Sequence, residues 1–297
     1  MGSCMTEKRI LLTGVTGQVG FELARSLQGL GEVIGLDRSG LDLSNPDKMR
    51  EVIRSLSPSL IVNPAAYTAV DKAETERDAA QAINATAPAI LAEEAKRAGI
   101  PLIHYSTDYV YDGEKDGIYT EDDATNPQNV YGATKLAGED AIRSSGCHHV
   151  IFRTSWVYGV HGGNFVKTML RLGAERELLR VVGDQFGAPT SARTIADITA
   201  HIVAQSQVIA DNAAWWQAKS GTYHLSGGGE TNWAEYAREI FTIKELNCRV
   251  DAIPASEYPT PAKRPVNSRI SNDKLARTFG LRTPPWQTSL RQCLESI

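Results

Sequence analysis

The chain has 297 residues, a length that gives one large domain or two smaller ones and can bury a full core without disulfide or metal staples. Hydrophobic residues at 42% and charged residues at 22% match an ordinary globular protein. Against 31 Lys and Arg stand 35 Asp and Glu, a formal charge of −4, which excludes a general binder of nucleic-acid backbone but leaves room for a local anion pocket.

In chain order, Met1 and Met5 offer alternative starts, and whether residues 1–4 are native is left open by the sequence. No signal-type apolar stretch follows, and no run reaches the roughly 18–20 apolar residues of a membrane span, so a cytoplasmic location away from membranes is expected. Residues 9–12 form an apolar run ending in Thr13-Gly14, followed by a helical pattern over 19–27. Residues 32–36 read as a second strand, 46–55 as a helix capped by Ser44 or Asn45, and 60–62 as a third strand. An Ala-rich helical stretch covers 75–98, with Pro88 placed to bend or break it. Residues 101–105 and 150–153 are further strands on either side of a helix over 129–144. Their apolar runs lack strict alternation, which suits strands covered on both faces.

The second half is less regular. Helices are expected over 164–172, 194–204 and 232–241, with a short strand at 179–182, a Gly227-Gly228-Gly229 turn and a Pro-rich segment over 254–265. Alternating strands and helices imply an α/β fold: a Rossmann-like doubly wound parallel sheet with a smaller α/β C-terminal substrate lobe. Residues 5–168 are expected to form the dinucleotide-binding domain, with 190–212 returning to it. Residues 169–189 and 213–297 then form the smaller lobe. Cys4, Cys147, Cys248 and Cys293 show neither a C-x-x-C pair nor metal-ligand spacing, and read as small apolar side chains in a reducing compartment. His104, His148, His149 and His161 have no carboxylate at ligand spacing and read as structural or exposed.

Gly14, Gly17 and Gly20 stand between a strand and a helix, the context in which a glycine loop cradles a pyrophosphate. Gln18 and Val19 open that helix, whose first N–H groups attract an anion. About twenty residues on, Asp37 can accept from ribose hydroxyls, which favours NAD(H). Arg38 beside it can grip a 2′-phosphate, which favours NADP(H). Tyr131 and Lys135 are four apart and so share one helix face. A phenol gives up its proton to an alkoxide more readily when an ammonium lies near. Thr107, just past the fourth strand, stands at the carboxyl edge where ligands of open α/β sheets bind.

These features resemble the extended short-chain dehydrogenase/reductase family over nearly the whole chain. The matching segments run from Leu12 to Gly20, Asn63 to Glu74, Ser106 to Gly113, Tyr131 to Lys135, Arg153 to Gly159, Asp184 to Thr190, and Arg264 to Ser268. The resemblance implies reduction of the C4 ketone of dTDP-4-dehydro-6-deoxy-L-mannose to dTDP-L-rhamnose. NADP(H) is the expected cofactor, with NAD(H) as the alternative. In that pattern Tyr131 gives the proton, Lys135 depresses its pKa and holds the nicotinamide ribose, and Thr107 binds the carbonyl oxygen. Asp108, Tyr109 and Trp156 line the sugar site, and Asn164 and Arg264 hold the nucleotide diphosphate. Asp42, Leu43, Ala65, Ala66 and Tyr67 match cofactor contacts on the adenine and ribose side. Some members dimerise through magnesium held by glutamates. Here Arg193 stands in one of those places although Glu22 remains, so no metal is expected, and the chain is expected as monomer or homodimer. Two other readings are a non-catalytic NADP-binding regulatory subunit and a nucleotide-sugar epimerase or dehydratase. The Thr107, Tyr131 and Lys135 set argues against the first, and Tyr109 following Asp108 against the second.

Overall fold

A computed structural model describes residues 8–297; Cys4 and the alternative start at Met5 lie outside the described residues. The first half runs β1 (Arg9–Thr13), α1 (Gln18–Ser26), β2 (Glu32–Leu36), α2 (Pro46–Leu56), β3 (Leu60–Asn63), α3 (Val70–Ala73), α4 (Arg77–Gln81), α5 (Ala87–Ala98), β4 (Leu102–Thr107), α6 (Val130–Ser145) and β5 (His149–Thr154). The second half adds β6 (Val157–Tyr158), α7 (Phe165–Glu175), β7 (Leu178–Val182), β8 (Phe186–Gly187), β9 (Thr190–Ser191), α8 (Ala192–Gln207), α9 (Asn212–Lys219), β10 (Gly221–His224), β11 (Thr231–Asn232), α10 (Trp233–Ile243), β12 (Arg249–Ile253), α11 (Asp273–Phe279) and α12 (Trp286–Glu295).

The main sheet has the order β10-β5-β4-β3-β1-β2, and every pair in it is parallel. Alternate residues of each strand point to opposite faces, so Ile10 and Leu12 join the layer of α1 and α8 while Leu11 joins that of α2 and α5. Both faces are therefore covered, as the continuous apolar runs require. Burying each such Leu or Ile is worth about 1.5–3 kcal/mol relative to exposure. The chain passes from β1 to β2 on one side and then crosses to β3 on the other. That reversal leaves a crevice at the carboxyl ends of β1 and β3, the ligand position of open α/β sheets.

Two expectations need correction. The smaller lobe begins earlier and is more interleaved than the boundaries 169–189 and 213–297. Tyr158, Val166 and Met169 already pack into the lobe core with Tyr236, Phe241 and Leu290. In contrast, β10 is the sixth strand of the main sheet, and Trp216 of α9 and Leu275 of α11 belong to the large core. The second correction concerns Pro88, which breaks nothing. A π turn over Ala82–Thr86 runs without a break into α5 and places Pro88 in its first turn, so the proline is accommodated by wider winding just before it. Among the described residues, no helix is long and apolar enough to cross a membrane.

Candidate active site

The glycine loop closes between β1 and α1. Gly14 adopts φ +59°, and Gly17 N–H donates to its carbonyl at 2.9 Å. A Cβ on Gly20 would stand 2.1 Å from Gly14 O, so only glycine lets the helix lie this close to the turn. No side chain caps α1, and its first turn holds no acidic residue, which leaves its N–H groups for an outside anion. This cradle fits the pyrophosphate of a dinucleotide. Gln18 faces the lobe instead, with Nε2 donating to Val157 O at 3.4 Å and Oε1 accepting from Asn164. Val19 packs against the large core.

After β2, Asp37 closes its own turn: Oδ1 accepts from Ser39 N, Ser39 Oγ and Gly40 N. Those bonds hold its carboxyl below the ordinary carboxylate range. Asp42 does the same with Ser44, while Leu43 is buried under α2. Arg38 is exposed and forms no ion pair among the described residues, so its guanidinium is the group of this corner left for a phosphate. Across the crevice, Ala65, Ala66 and Tyr67 follow β3. The π turn brings Asn84 under them: its Oδ1 accepts from Tyr67 N at 2.8 Å, and its Nδ2 donates to Tyr67 O and Thr134 Oγ1. Asn84 thus holds the expected cofactor wall, a role with no local motif to announce it.

The chemical groups meet at the ends of β4 and α6. Thr107 is buried, donates to Asp108 Oδ1 at 3.1 Å and accepts from Tyr109 N at 3.2 Å. Asn129 caps α6 by accepting from Gly132 N at 2.8 Å. A Cβ on Gly132 would lie 2.2 Å from Tyr109 O, so the helix start can seat directly on the turn after β4. Tyr131, in that first helical turn, packs edge-on against Tyr109 at 5.5 Å. Burial, with Asp108 and Tyr109 adding, pushes the Tyr131 phenol above its ordinary value, so it carries its proton at neutral pH. Asp108 is pushed up to about 6 by burial, against the pull of the hydrogen bond from Thr107.

Lys135 is held from the protein side: its amine donates to Tyr105 O at 2.6 Å and lies 3.2 Å from His104 Nε2. Burial pulls the amine down to about 8, and the Glu139 carboxylate one turn further along α6 works in the other direction. Glu139 is itself fixed by a buried two-pronged pair with Arg153 of β5.

On the lobe side, Trp156 adopts φ +46°, a left-handed conformation uncommon for a bulky residue, and stacks on Trp233 at 3.7 Å. Arg264 pairs with Asp71 at 2.7 Å, donates to Tyr109 Oη at 3.2 Å, and lies over the Tyr109 ring. It therefore reaches the site. Asn164 is different. Its Oδ1 caps α7 through Lys167 N, and its Nδ2 donates to Gln18 Oε1 and Gly159 O. The side chain expected to hold the nucleotide diphosphate is instead tying α7 to α1. Glu22 and Arg193 pair with Arg25 and Asp197 respectively.

Sequence reasoning missed Asn84, Asp71, Glu139, Trp233 and the contact of His104 with Lys135. Asp71 stood inside a recognised segment and could have been found as a partner for Arg264. The others become visible only when distant segments meet.

The RmlD substrate binding domain model matches residues 8–297. A curated relative, the dTDP-4-dehydrorhamnose reductase of Escherichia coli (strain K12), is 48% identical over 299 residues, covering 97% of each chain. Among solved structures, the dTDP-4-dehydrorhamnose reductase of Clostridium acetobutylicum superposes with a TM-score of 0.90 at 38% identity, over 97% of this chain and 99% of that one. The corresponding enzyme of Bacillus anthracis, solved in complex with NADP, gives 0.91 at 34% identity over 98% and 100%.

Proposed function

The chain belongs to the RmlD family of dTDP-4-dehydrorhamnose reductases and is an oxidoreductase, and on that premise we propose that it uses NADPH to reduce the C4 ketone of dTDP-4-dehydro-6-deoxy-L-mannose to dTDP-L-rhamnose. The observation that carries this reading is the seating of the first turn of α6, with Tyr131 and buried Lys135, directly on the turn after β4 that holds Thr107, at the carboxyl end of the sheet.

The glycine loop and the start of α1 hold the pyrophosphate, and Arg38 takes the 2′-phosphate, which favours NADPH over NADH. Ala65, Ala66 and Tyr67, braced by Asn84, form the opposite wall. When bound, the nicotinamide supplies the hydride. Thr107, its oxygen held by Tyr109 N, turns its hydroxyl proton from Asp108 to the ketone oxygen as negative charge develops there. Tyr131 delivers its proton to that oxygen, leaving a phenolate one helical turn from the Lys135 ammonium, whose charge compensates it. Two of the three N–H donors of Lys135 are engaged by protein groups, and the third serves the cofactor ribose. Trp156 and Arg264 border the sugar-nucleotide side.

The test is to supply the 4-keto sugar nucleotide with NADPH and follow the nicotinamide absorbance. Oxidation of NADPH is expected, slower with NADH, and Tyr131→Phe should lower the rate roughly 100- to 10,000-fold. Oxidation that survives Tyr131→Phe removes the assigned proton donor. Tight cofactor binding without turnover favours a regulatory subunit instead.

A further inference from the structure

A line of buried polar side chains crosses the sheet beneath the site. Thr13 and Asn63 end β1 and β3, and His104 lies beside Asn63 in the middle of β4; Asn63 and His104 are registered partners, and Leu12 and Val62 pair one position earlier. Thr13 Oγ1 donates to Asn63 Oδ1 at 2.6 Å, Asn63 Nδ2 stands 3.0 Å from His104 Nδ1, and His104 Nε2 stands 3.2 Å from Lys135 Nζ. All four residues are fully buried, so no water competes for these groups. Polar groups in a parallel-strand interior are costly, and a row of four that ends on an active-site amine calls for a purpose.

Hydrogen-bond bookkeeping supplies one. With Asn63 Nδ2 toward Nδ1, that nitrogen accepts and the ring proton sits on Nε2, where it meets Lys135 only as a free amine. Turning the Asn63 amide over reverses the string. Its oxygen then accepts from Nδ1–H, its NH2 donates to the Thr13 hydroxyl, and Nε2 accepts from the ammonium. A hydroxyl, an amide and an imidazole each serve in either polarity, and so does the free amine of Lys135, whereas its ammonium form, with no lone pair, fits only the polarity in which Nε2 accepts.

We propose that His104 is a positioning residue for Lys135 and that the polarity of the Thr13–Asn63–His104 string sets how strongly the buried amine keeps its proton. The proposal rests on the reading of Lys135 as a working group of the site. Burial and the nearby Lys135 hold His104 well below its ordinary value, so the imidazole stays neutral and Lys135 is the member that titrates. The other charged group acting on Lys135 is Glu139 of its own helix, paired with Arg153 of β5 and Arg143. On the turn after β4, Asp108 and Tyr109 act on Tyr131 instead.

The experiment is 15N NMR on the full, cofactor-free chain labelled in lysine and histidine, with Lys135 assigned through Lys135→Met. In the parent protein, His104 should carry its proton on Nδ1 while Lys135 is charged, and the Nε2–H tautomer should become populated only once Lys135 is neutral. Asn63→Asp fixes Nδ1–H and should raise the Lys135 titration by about one pH unit; His104→Phe, which removes the acceptor, should lower it by about as much. His104→Gln keeps a carbonyl acceptor and should stay near the parent value, which decides the matter if the phenylalanine variant does not fold. The high-pH limb of kcat should move with each titration. A Lys135 titration indifferent to both Asn63→Asp and His104→Gln or Phe, or a His104 proton on Nε2 while Lys135 is charged, overturns the proposal. Titrations that move while kcat does not follow uphold the string and overturn the catalytic reading of Lys135.

Discussion

Asp108 lies beside Thr107 with its carboxyl pushed up to about 6 from an ordinary value near 3.8. Between those two values the folded chain keeps a proton that the unfolded chain releases, so stability falls as pH rises through the window, by at most about 3 kcal/mol. Asp108→Asn should flatten that fall, which urea denaturation at pH 4 and pH 7 measures; an unchanged slope contradicts the assignment. The same residue shows what was legible and what was not. Thr107, Tyr131 and Lys135 were readable because spacing on a helix and position after a strand carry their meaning locally. The direction in which the Lys135 ammonium points was not, because Tyr105 O and His104 Nε2 come from a strand 30 residues away. His104 sits in an otherwise apolar strand, and nothing in its neighbourhood along the chain marks it as a partner of Lys135.

Elements with their own start signals were read well. Asn45, Asn129, Asn164 and Asn232 each cap the helix that follows them. Short strands were not: β10 is only Gly221–His224, without an apolar run, and gains its place by pairing with β5. The contact of α6 with the turn after β4 carries a prediction at this scale. Gly132→Ala places a methyl group against Tyr109 O, forcing the helix start and Tyr131 away from Thr107. Overpacking of this kind costs about 1–3 kcal/mol, and a displacement near 1 Å at a reacting group costs on the order of 100-fold in kcat. The expected result is a large loss in kcat with cofactor affinity retained, read by steady-state kinetics and cofactor titration. Unchanged kcat would mean that the close seating is not what aligns Tyr131.

At the scale of the whole molecule, the Pro-rich segment reads as an irregular connection in sequence but acts as a strap between the two bodies. Ala262 N donates to Asp71, Asn129 Nδ2 to Lys263 O, and Asn267 N to Gly113 O, while Ser268 N donates to Phe186 O in the lobe. Arg264 sits in the middle of this strap, against Asp71 and Tyr109. Arg264→Ala should raise KM for the sugar nucleotide roughly 10- to 100-fold, the worth of one or two charged hydrogen bonds, without changing NADPH affinity. Equal KM values would return Arg264 to a purely structural part. The most direct measurement is the fate of hydride itself: NADPH carrying deuterium at the nicotinamide C4, incubated with the 4-keto sugar nucleotide, followed by NMR of the product. Deuterium at C4 of the 6-deoxy sugar and nowhere else is the expected result. Deuterium at another carbon, or NADPH left unoxidised beside bound substrate, would contradict the assignment of this crevice as a C4 ketone reductase.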